Sequence, residues 1–337
     1  MLEKTTRKKN AILSILKDMD RPLRSSRIAQ EMLAQGHDIS ERTVRLYLQD
    51  MCDAGLIEKA DKRCHRITDR GLIELETTNT IERVGFLSAK IDQMTYRMNF
   101  DLATRTGSVV VNTTLADPRQ VHSCLPMIHK VFADGYAMGN LITFLGPGER
   151  IGQLTVPEGM IGICTVCSIT INGVLLHHGI PANSRFGGVL ELRDRKPVRF
   201  VEIIMYDGTS IDPLEVFIRS GMTNYLGAIK TGNGRIGAGF REVPSESRDR
   251  VEELAEKLRQ AGLGAFMCIG RPGQPVLDIP VSEGRSGAIV IGGLNPVSIL
   301  EETGYRVYSR ALSGLIDFGR LFHYDEMEHR LREFWKG

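Results

Sequence analysis

Two parts of this chain repeat each other at an offset of 125 residues, and this internal repeat constrains the fold more than any other feature. Residues 156–159 (VPEG) return as residues 281–284 (VSEG), and a weaker match aligns residues 109–111 with 236–238. Further matches at the 125-residue offset pair Gly162 with Gly287, Leu175 with Leu300, Gly179 with Gly304, Ser184 with Ser309 and Arg185 with Arg310. Because related sequences form related elements, the repeat predicts two similar lobes, at about residues 103–195 and 230–322.

Each lobe reads as a mixture of strands and helices. Residues 248–262 (RDRVEELAEKLRQAG) carry apolar side chains at three- and four-residue spacing, which predicts a helix, while residues 263–270 and 287–292 read as buried strands. Between the copies, residues 197–206 read as a strand and residues 212–222 as a helix. The body of the chain is therefore expected to be a duplicated, mixed α/β (α+β) domain. A small ligand is expected in a cleft between its two lobes.

The N-terminal part of the chain reads as three helices followed by two short strands. Apolar residues recur at helical spacing between residues 10 and 19, Ser25 begins a second helix, and Ser40 begins a third. Residues 56–59 and 62–67 then read as two strands around a basic turn. This order of elements predicts a winged helix-turn-helix, which reads duplex DNA.

Polar and basic side chains occur where such a domain contacts DNA. In the third helix Val44, Leu48 and Met51 face inward, which leaves the opposite face for base edges and phosphates, and the wing adds a basic cluster. The predicted DNA-binding residues are Ser40, Arg42, Thr43, Arg45, Gln49, Lys62, Arg63, His65 and Arg66. The alternative is an ordinary solvated face, or a helix-turn-helix that contacts another protein.

Length and composition exclude several classes of protein. The chain has 337 residues, 42% of them apolar and 25% charged, as in a globular protein of two or three units. Its net charge of +2 argues against a long nucleic-acid groove across the body, and no apolar run reaches the length of a bilayer span. Six cysteines and a polar N-terminus fit a protein of the reducing cytoplasm, with no membrane partner.

The sequence predicts four consecutive segments. They are a winged helix over residues 1–76, a connecting helix over 77–102, the duplicated body over 103–322 and a C-terminal helix over 323–337. In the connecting segment the apolar residues at helical spacing include Leu87, Ile91, Met94 and Met98. Such a stripe packs either on the body or on the same helix of a second subunit.

No motif for catalysis or metal binding is complete. Cys164 and Cys167 have the spacing of a metal or redox pair, with His177 and His178 as further ligands, but the run IGICTVCSITI reads as one strand. Residues three apart on a strand point to opposite faces, so buried core cysteines are expected instead. The glycine-rich residues 232–240 match no phosphate-binding pattern and read as a turn that leads into a strand. We therefore expect no enzyme, no metal site and no bound cofactor.

The first copy is the more polar of the two. Where it has Thr165, Ser168 and Asn172, the second copy has Val290, Gly293 and Val297. If one lobe carries an effector site, residues 177–185 (HHGIPANSR) are where we expect it, with Arg185 as the charge partner of an acidic ligand. The alternative is a solvent-exposed loop with an ordinary surface arginine.

Several motifs together resemble the NrpR family of nitrogen-responsive repressors. They are a winged helix of the ribonuclease R type, residues 81–101 (IERVGFLSAKIDQMTYRMNFD), 107–112 (GSVVVN) and 163–181 (ICTVCSITINGVLLHHGIP), and the FRE of residues 239–244 (GFREVP). The resemblance covers nearly the whole chain. It implies a homodimeric transcriptional repressor of nitrogen-assimilation genes that releases its double-stranded DNA operator when 2-oxoglutarate binds the regulatory domain. Many members have two regulatory domains, and this chain has room for one.

The resemblance also suggests what the effector site must contain. 2-Oxoglutarate is a dianion, so its site needs arginine, hydroxyl and backbone N–H donors. The candidate effector-binding residues are Thr165, Ser168, Asn172, His177, His178, Ser184 and Arg185, with the repeat-related Ser309 and Arg310 in reserve. The alternatives are a regulator with another effector, an RNA-binding module, or an enzyme that carries a DNA-binding domain.

Overall fold

The chain forms two compact units. The computed structural model describes residues 2–19, 21–34, 37, 39–61, 63–72, 75, 86–264 and 266–334. Backbone contacts divide the chain into Met1–Gly85 and Phe86–Gly337, and each unit has its own hydrophobic core. The boundary therefore falls within the segment that the sequence assigned to a connecting helix.

The first unit is a winged helix, as predicted. Its elements are helix α1 (Leu2–Met19), strand β1 (Leu23–Arg24), helices α2 (Ser25–Ala34) and α3 (Glu41–Asp53), and strands β2 (Ile57–Lys59) and β3 (Cys64–Ile67). The strands form an antiparallel sheet in the order β1-β3-β2, and Ile12, Ile28 and Leu48 are fully buried between the helices. Helix α1 begins earlier than the predicted residue 10, because the preceding residues contain no helix breaker.

The second unit is a mixed α/β (α+β) domain that begins with helix α4 (Leu87–Arg97). The first copy then consists of β4 (Ser108–Ala116), α5 (Pro118–Ala133), β5 (Leu141–Leu145), β6 (Arg150–Ile151), β7 (Leu154–Thr155), β8 (Ile161–Val166), α6 (Ile169–His177) and β9 (Asn183–Arg193). Strand β10 (Lys196–Met205) and helices α7 (Pro213–Arg219) and α8 (Tyr225–Thr231) follow. The second copy consists of β11 (Gly234–Pro244), α9 (Arg248–Gln260), β12 (Phe266–Ile269), β13 (Arg285–Ile291), α10 (Ser298–Glu302) and β14 (Tyr308–Asp317). Strand β15 (Phe322–His323) and helix α11 (Met327–Leu331) complete the described chain.

The two copies repeat the same order of elements but exchange their last strands. Two antiparallel sheets of five strands form, in the orders β10-β9-β11-β13-β12 and β14-β4-β8-β5-β15. In each sheet, the first strand of one copy pairs with the last strand of the other, β11 with β9 and β4 with β14. The duplication is thus visible in the fold, but the segments 103–195 and 230–322 are not separate lobes. Each contributes a strand to the sheet of the other.

The run IGICTVCSITI is not a single strand. Strand β8 ends at Val166 and helix α6 begins at Ile169. Nearly every side chain of α6 is buried, so its sequence is apolar all round and lacks the period that distinguishes a helix from a strand. This buried helix packs against α4, so the apolar stripe of the connecting segment lies in the core of the second unit.

Two further predictions can be compared with the structure. Gly232, at φ +78°, ends α8 and leads into β11, which confirms the predicted turn before a strand. The C-terminal segment was expected to be one helix from residue 323, whereas β15 occupies its start and α11 is short. In the part of the chain that the structure describes, no helix combines the length and the apolar character needed to cross a bilayer.

Candidate functional site

The start of helix α3 is fixed by its cap. The Ser40 hydroxyl accepts a hydrogen bond from the Thr43 backbone N–H (3.2 Å) and lies 2.9 Å from the Thr43 hydroxyl. A capping serine satisfies an amide that the first helical turn leaves without a partner. The two side chains that were predicted to contact DNA therefore also hold the N-terminus of the helix in position.

One exposed face of α3 carries side chains suited to DNA. Its members, at helical spacing, are Arg42, Arg45, Leu46 and Gln49. Arg45 Nη2 lies 2.6 Å from Glu41 Oε1, and the Arg45 side chain is 67% exposed. Such a surface ion pair is worth little, so Arg45 can turn to another anion. The face thus offers cations for phosphates, an amide for base edges and a methyl-bearing side chain for thymine.

Not all of the basic side chains of the wing are exposed for contact with DNA. Arg63 and Arg66 are exposed, and Arg66 Nε contacts Glu58 Oε1 at 2.6 Å. His65 is half-buried, and burial together with the charge of Lys59 lowers the pKa of its imidazole. A neutral, half-buried imidazole is a poor phosphate ligand, so the arginines are the better candidates here. Lys62 lies outside the described residues.

The second unit encloses an arginine on β11. Arg241 is 1% exposed and is the largest of the fully buried side chains. Its Nε donates to Asn172 Oδ1 (3.2 Å), its Nη2 to the Ser168 hydroxyl (3.2 Å) and its Nη1 to the carbonyl oxygen of Phe240 (3.3 Å). All three acceptors are neutral, and among the described residues Arg241 has no ion pair within 4.0 Å. The Asp212 carboxyl interacts electrostatically with this charge but makes no ion pair with the guanidinium. A buried arginine whose hydrogen bonds go to neutral acceptors is costly, which marks this position as a functional candidate.

Strand pairing and helix α6 bring three predicted effector residues to this arginine. Arg241 lies opposite Ser184 in the register of β11 with β9, and Asn172 Nδ2 donates to Ser184 Oγ at 2.8 Å. Ser168 immediately precedes the first residue of α6, and Asn172 follows one turn later on the same face. Ser168, Asn172 and Ser184 therefore meet around Arg241, although Arg241 lies far from them in the sequence.

Arg185, predicted to be the charge partner of an acidic ligand, is already paired. It is the extra residue of a β-bulge in β9, and bulges redirect side chains. Its Nη1 lies 2.9 Å from Glu242 Oε1 and donates to the carbonyl oxygen of Pro280 at 2.7 Å. Glu242, whose side chain is 2% exposed, also accepts from the backbone N–H (3.0 Å) and hydroxyl of Ser282. This neutralised pair holds a loop of the second copy, whereas the buried Arg241 has no ion pair among the described residues.

A small cavity adjoins the Arg241 cluster. It measures about 10 Å³, and its lining includes Ser168, Tyr206, Asp212 and Ile91 of α4. The Tyr206 ring centre lies 5.4 Å from Arg241 Cζ. Burial raises the pKa of the Asp212 carboxyl to about 6, and the charge of Glu215 adds to the increase. A cavity of this size holds about one water molecule at most, so a larger ligand requires movement of the surrounding elements.

The other predicted effector residues lie elsewhere. The hydroxyl of Thr165 is buried without a hydrogen-bond partner in the described chain, and its side chain alternates with that of Cys164 on β8. His177 and His178 are exposed at the end of α6, where His178 Nδ1 lies 2.8 Å from the Val174 carbonyl oxygen. None of the three contacts Arg241. The reserve Ser309 is engaged by Thr114 (2.9 Å).

The cysteine pair is part of the core, as predicted. Burial raises the pKa of both Cys164 and Cys167 to about 12, so both thiols stay protonated at neutral pH. Cys164 Sγ lies 3.3 Å from the Thr113 hydroxyl. Within the described ranges, no group of three histidine, cysteine or acidic residues has the arrangement of a metal site.

Sequence reasoning missed Arg241 and Glu242 as candidate site residues. Both belong to the FRE motif of β11, where two adjacent charged residues follow the apolar and glycine residues 236–240. Buried charges in a core strand are rare, so this motif was a usable signal. What it could not show was which neighbouring strand would supply the partners.

Comparisons with known proteins identify the family. The profile of NrpR regulatory domains NRD1 and 2 matches residues 84–323, and the profile of the ribonuclease R winged-helix domain matches residues 10–75. A crystal structure of a nitrogen repressor-like protein from Methanococcus jannaschii superimposes with a TM-score of 0.60 at 26% identity. The match covers 71% of this chain and 99% of that one.

Curated relatives agree with the profiles. The global nitrogen regulator NrpRI of Methanosarcina mazei is 32% identical over 312 residues, which are 93% of this chain and 96% of the relative. The global nitrogen regulators NrpR of Methanocaldococcus jannaschii and Methanococcus maripaludis are 33% and 29% identical, and the matches span 54% of the length of each. All three are named as regulators rather than enzymes, in agreement with the expected lack of catalysis. The chain belongs to the NrpR family of nitrogen regulators.

Proposed function

We propose that the protein is a cytoplasmic transcriptional repressor of nitrogen-assimilation genes that binds duplex DNA and is released by 2-oxoglutarate. The observation that carries the DNA-binding part is the exposed face of α3, which presents Arg42 and Arg45 in a winged helix. In helix-turn-helix proteins this helix enters the major groove, and its first turns contact base edges. The names of the relatives supply the link to nitrogen.

The operator is bound by a homodimer in this proposal. Two-fold symmetric regulators place two recognition helices about one turn of DNA apart, so a small change in their separation is enough to abolish binding. An effector must therefore prefer a dimer arrangement that does not fit the operator, because a ligand with equal affinity for both arrangements shifts nothing.

The chemistry of the second unit supports an acidic effector. 2-Oxoglutarate carries two carboxylates, and the cluster around Arg241 offers a buried guanidinium that donates to the neutral oxygens of Ser168 and Asn172, with Ser184 beside it. Charge-assisted hydrogen bonds of this kind are about twice as strong as neutral ones. Of the residues predicted from the sequence, these three are the ones that we retain as the core of the effector site.

Fluorescence anisotropy tests the proposal directly. Duplex DNA from upstream of the protein's own gene is titrated with the full chain, with and without millimolar 2-oxoglutarate, and with succinate as the control. We expect tight binding that 2-oxoglutarate weakens and succinate does not. Tight binding that is indifferent to 2-oxoglutarate would eliminate the effector, and equal affinity for RNA and duplex DNA would eliminate the repressor function.

A further inference from the structure

We propose that the Arg241 guanidinium receives a carboxylate of the effector, and that this carboxylate displaces Ser168 and Asn172 from it and so frees helix α6. The inference rests on the proposed function and names the site and the structural event behind it. Arg241, at 1% exposure, is fully buried, and each of its hydrogen bonds goes to a neutral oxygen. A carboxylate there gains a direct ion pair, which no described residue makes with Arg241, although the Asp212 carboxyl interacts with its charge electrostatically.

The geometry of the guanidinium supports displacement. Asn172 Oδ1 lies on Nε and Ser168 Oγ on Nη2, each at 3.2 Å, so the two side chains occupy the two nitrogens of one edge of the group. A carboxylate binds such an edge with both oxygens in a bidentate pair. The ligand and the two α6 side chains therefore compete for the same donors. The acceptors that are displaced are neutral, whereas the carboxylate that replaces them is charged.

The internal repeat shows that this site is a specialisation of one half of the domain. Thr114 lies opposite Ser309 in the pairing of β4 with β14, as Arg241 lies opposite Ser184 in that of β11 with β9. The two hydroxyls of the first pair contact each other at 2.9 Å, so the first copy has an uncharged threonine at the position of Arg241. A stable fold of this type thus needs no arginine at the position of Arg241, so the arginine is present for a purpose other than packing.

Helix α6 can pass a change at Arg241 to α4. The cavity beside Arg241 measures about 10 Å³, and Ile91 of α4 lines it together with Ser168. Farther along α6, Gly173 packs closely on Met98, because a β-carbon at Gly173 would lie 2.3 Å from Met98 Cε. A dicarboxylate does not fit beside Arg241 unless α6 or α4 moves. Since α4 is the first described element of the chain after the winged helix, its movement is the event that we propose to affect the DNA-binding unit.

The test is to give Arg241 a carboxylate of its own. In Asn172→Asp the new carboxylate replaces the amide oxygen that already contacts Nε, so it occupies the donors that the effector needs. We expect the variant to fold and to bind operator DNA, but to bind 2-oxoglutarate at least tenfold more weakly by calorimetry. Asn224→Asp is the matched control, because it makes the same chemical change at the exposed cap of α8 and should leave 2-oxoglutarate binding unchanged.

For a second variant we expect the opposite change, a higher affinity for 2-oxoglutarate. Ser168→Ala removes one of the two groups that compete for Arg241, so we expect 2-oxoglutarate to bind several-fold more tightly. If the wild type binds 2-oxoglutarate and Asn172→Asp binds it with the same affinity, the assignment of Arg241 is overturned and the proposed function remains intact. If Asn172→Asp does not fold, unchanged or weaker binding by Ser168→Ala decides against the assignment. Failure of the wild-type chain to bind 2-oxoglutarate would instead reject the proposed effector, and the inference with it.

Discussion

At the scale of single residues, ionisation of the Asp212 carboxyl lowers the stability of the folded protein. Its carboxylate caps α7 by accepting from the Leu214 backbone N–H (2.9 Å), yet it is buried near Glu215, and its pKa is raised to about 6. The folded protein therefore holds this proton more tightly than the unfolded chain does. Stability falls as the pH rises from about 4 to about 7, since the ionised form is the one that burial disfavours.

Replacing Asp212 by asparagine should remove this pH-dependent cost. Asparagine caps a helix as well as aspartate does, so Asp212→Asn keeps the cap without the charge. We expect the variant to be more stable than the wild type by on the order of 2 kcal/mol at pH 8, with a smaller difference at pH 5. Urea unfolding at the two pH values measures this. A difference that is equal at both pH values would refute the role of ionisation.

The arginines of α3 carry the second residue-scale prediction. Arg42→Ala with Arg45→Ala should weaken operator binding about tenfold or more and reduce its dependence on salt, because each phosphate contact releases counterions. Affinity for 2-oxoglutarate should not change. The control is Arg250→Ala, which removes an exposed, ion-paired arginine from α9. Anisotropy titrations at several salt concentrations distinguish the outcomes, and an unaltered salt slope would contradict the assignment.

The candidate site was partly predictable from residue types. Ser168 and Asn172 were chosen because the second copy has Gly293 and Val297 at the repeat-related positions. Arg241 was not assigned to the site because its place opposite Ser184 is set by the pairing of β11 with β9, and strand register is a tertiary property. Arg185 was chosen instead, and Glu242 neutralises it.

At the scale of elements, the contact between α4 and α6 links the Arg241 cluster to the first helix of the second unit. Gly173 has no side chain, and Met98 fills the space above it. The repeat-related position in the second copy is Ser298, whose hydroxyl bonds to the carbonyl oxygen of Leu294 (3.1 Å). Glycine in the middle of a helix costs up to about 1 kcal/mol relative to alanine, so its presence here indicates a packing requirement.

This packing requirement predicts that the cost of a substitution at Gly173 depends on the side chain at position 98. Gly173→Ala alone should lower the free energy of unfolding by about 1–3 kcal/mol, because the new methyl group overlaps Met98. In a Met98→Ala background the same change should be neutral or slightly stabilising, since the space is free and alanine favours the helix. Urea denaturation of the four proteins gives the coupling. Equal costs in both backgrounds would show that the two residues do not constrain each other.

Elements whose apolar residues recur with a clear period were predictable from the sequence, and elements without such a period were not. The helices of the winged helix and α9 have one apolar face, so their spacing identified them. Helix α6 is buried from Ile169 to Leu175, and this mostly apolar stretch was read as the continuation of β8. The C-terminal segment was read as one helix, although its first residues pair with β5 as a strand.

At the scale of the whole molecule, the exchange of last strands makes the second unit indivisible. β9 belongs to the first copy and pairs with β11, and β14 belongs to the second copy and pairs with β4. A sequence repeat cannot reveal this exchange, because strands with the same sequence pattern fit either sheet. The arrangement places Ser184 of one copy beside Arg241 of the other, so the candidate site exists only when both copies are folded.

The exchange predicts how fragments behave. A fragment of residues 103–195 lacks β14 and leaves an edge of β4 unpaired, while its own β9 has no β11 to join. We expect it not to unfold cooperatively on heating, and we expect a mixture with residues 196–337 to regain a single thermal transition by circular dichroism. A sharp, concentration-independent transition of the first fragment alone would contradict the exchanged arrangement.

The central claim is that the effector site and the DNA-binding unit are coupled, and thermodynamic reciprocity tests it most directly. The measurement is the Kd for operator DNA with and without saturating 2-oxoglutarate, paired with the Kd for 2-oxoglutarate with and without saturating operator. The account predicts that each ligand weakens the other by the same factor. Unchanged affinities in both titrations would show that the two sites are independent and would contradict the account.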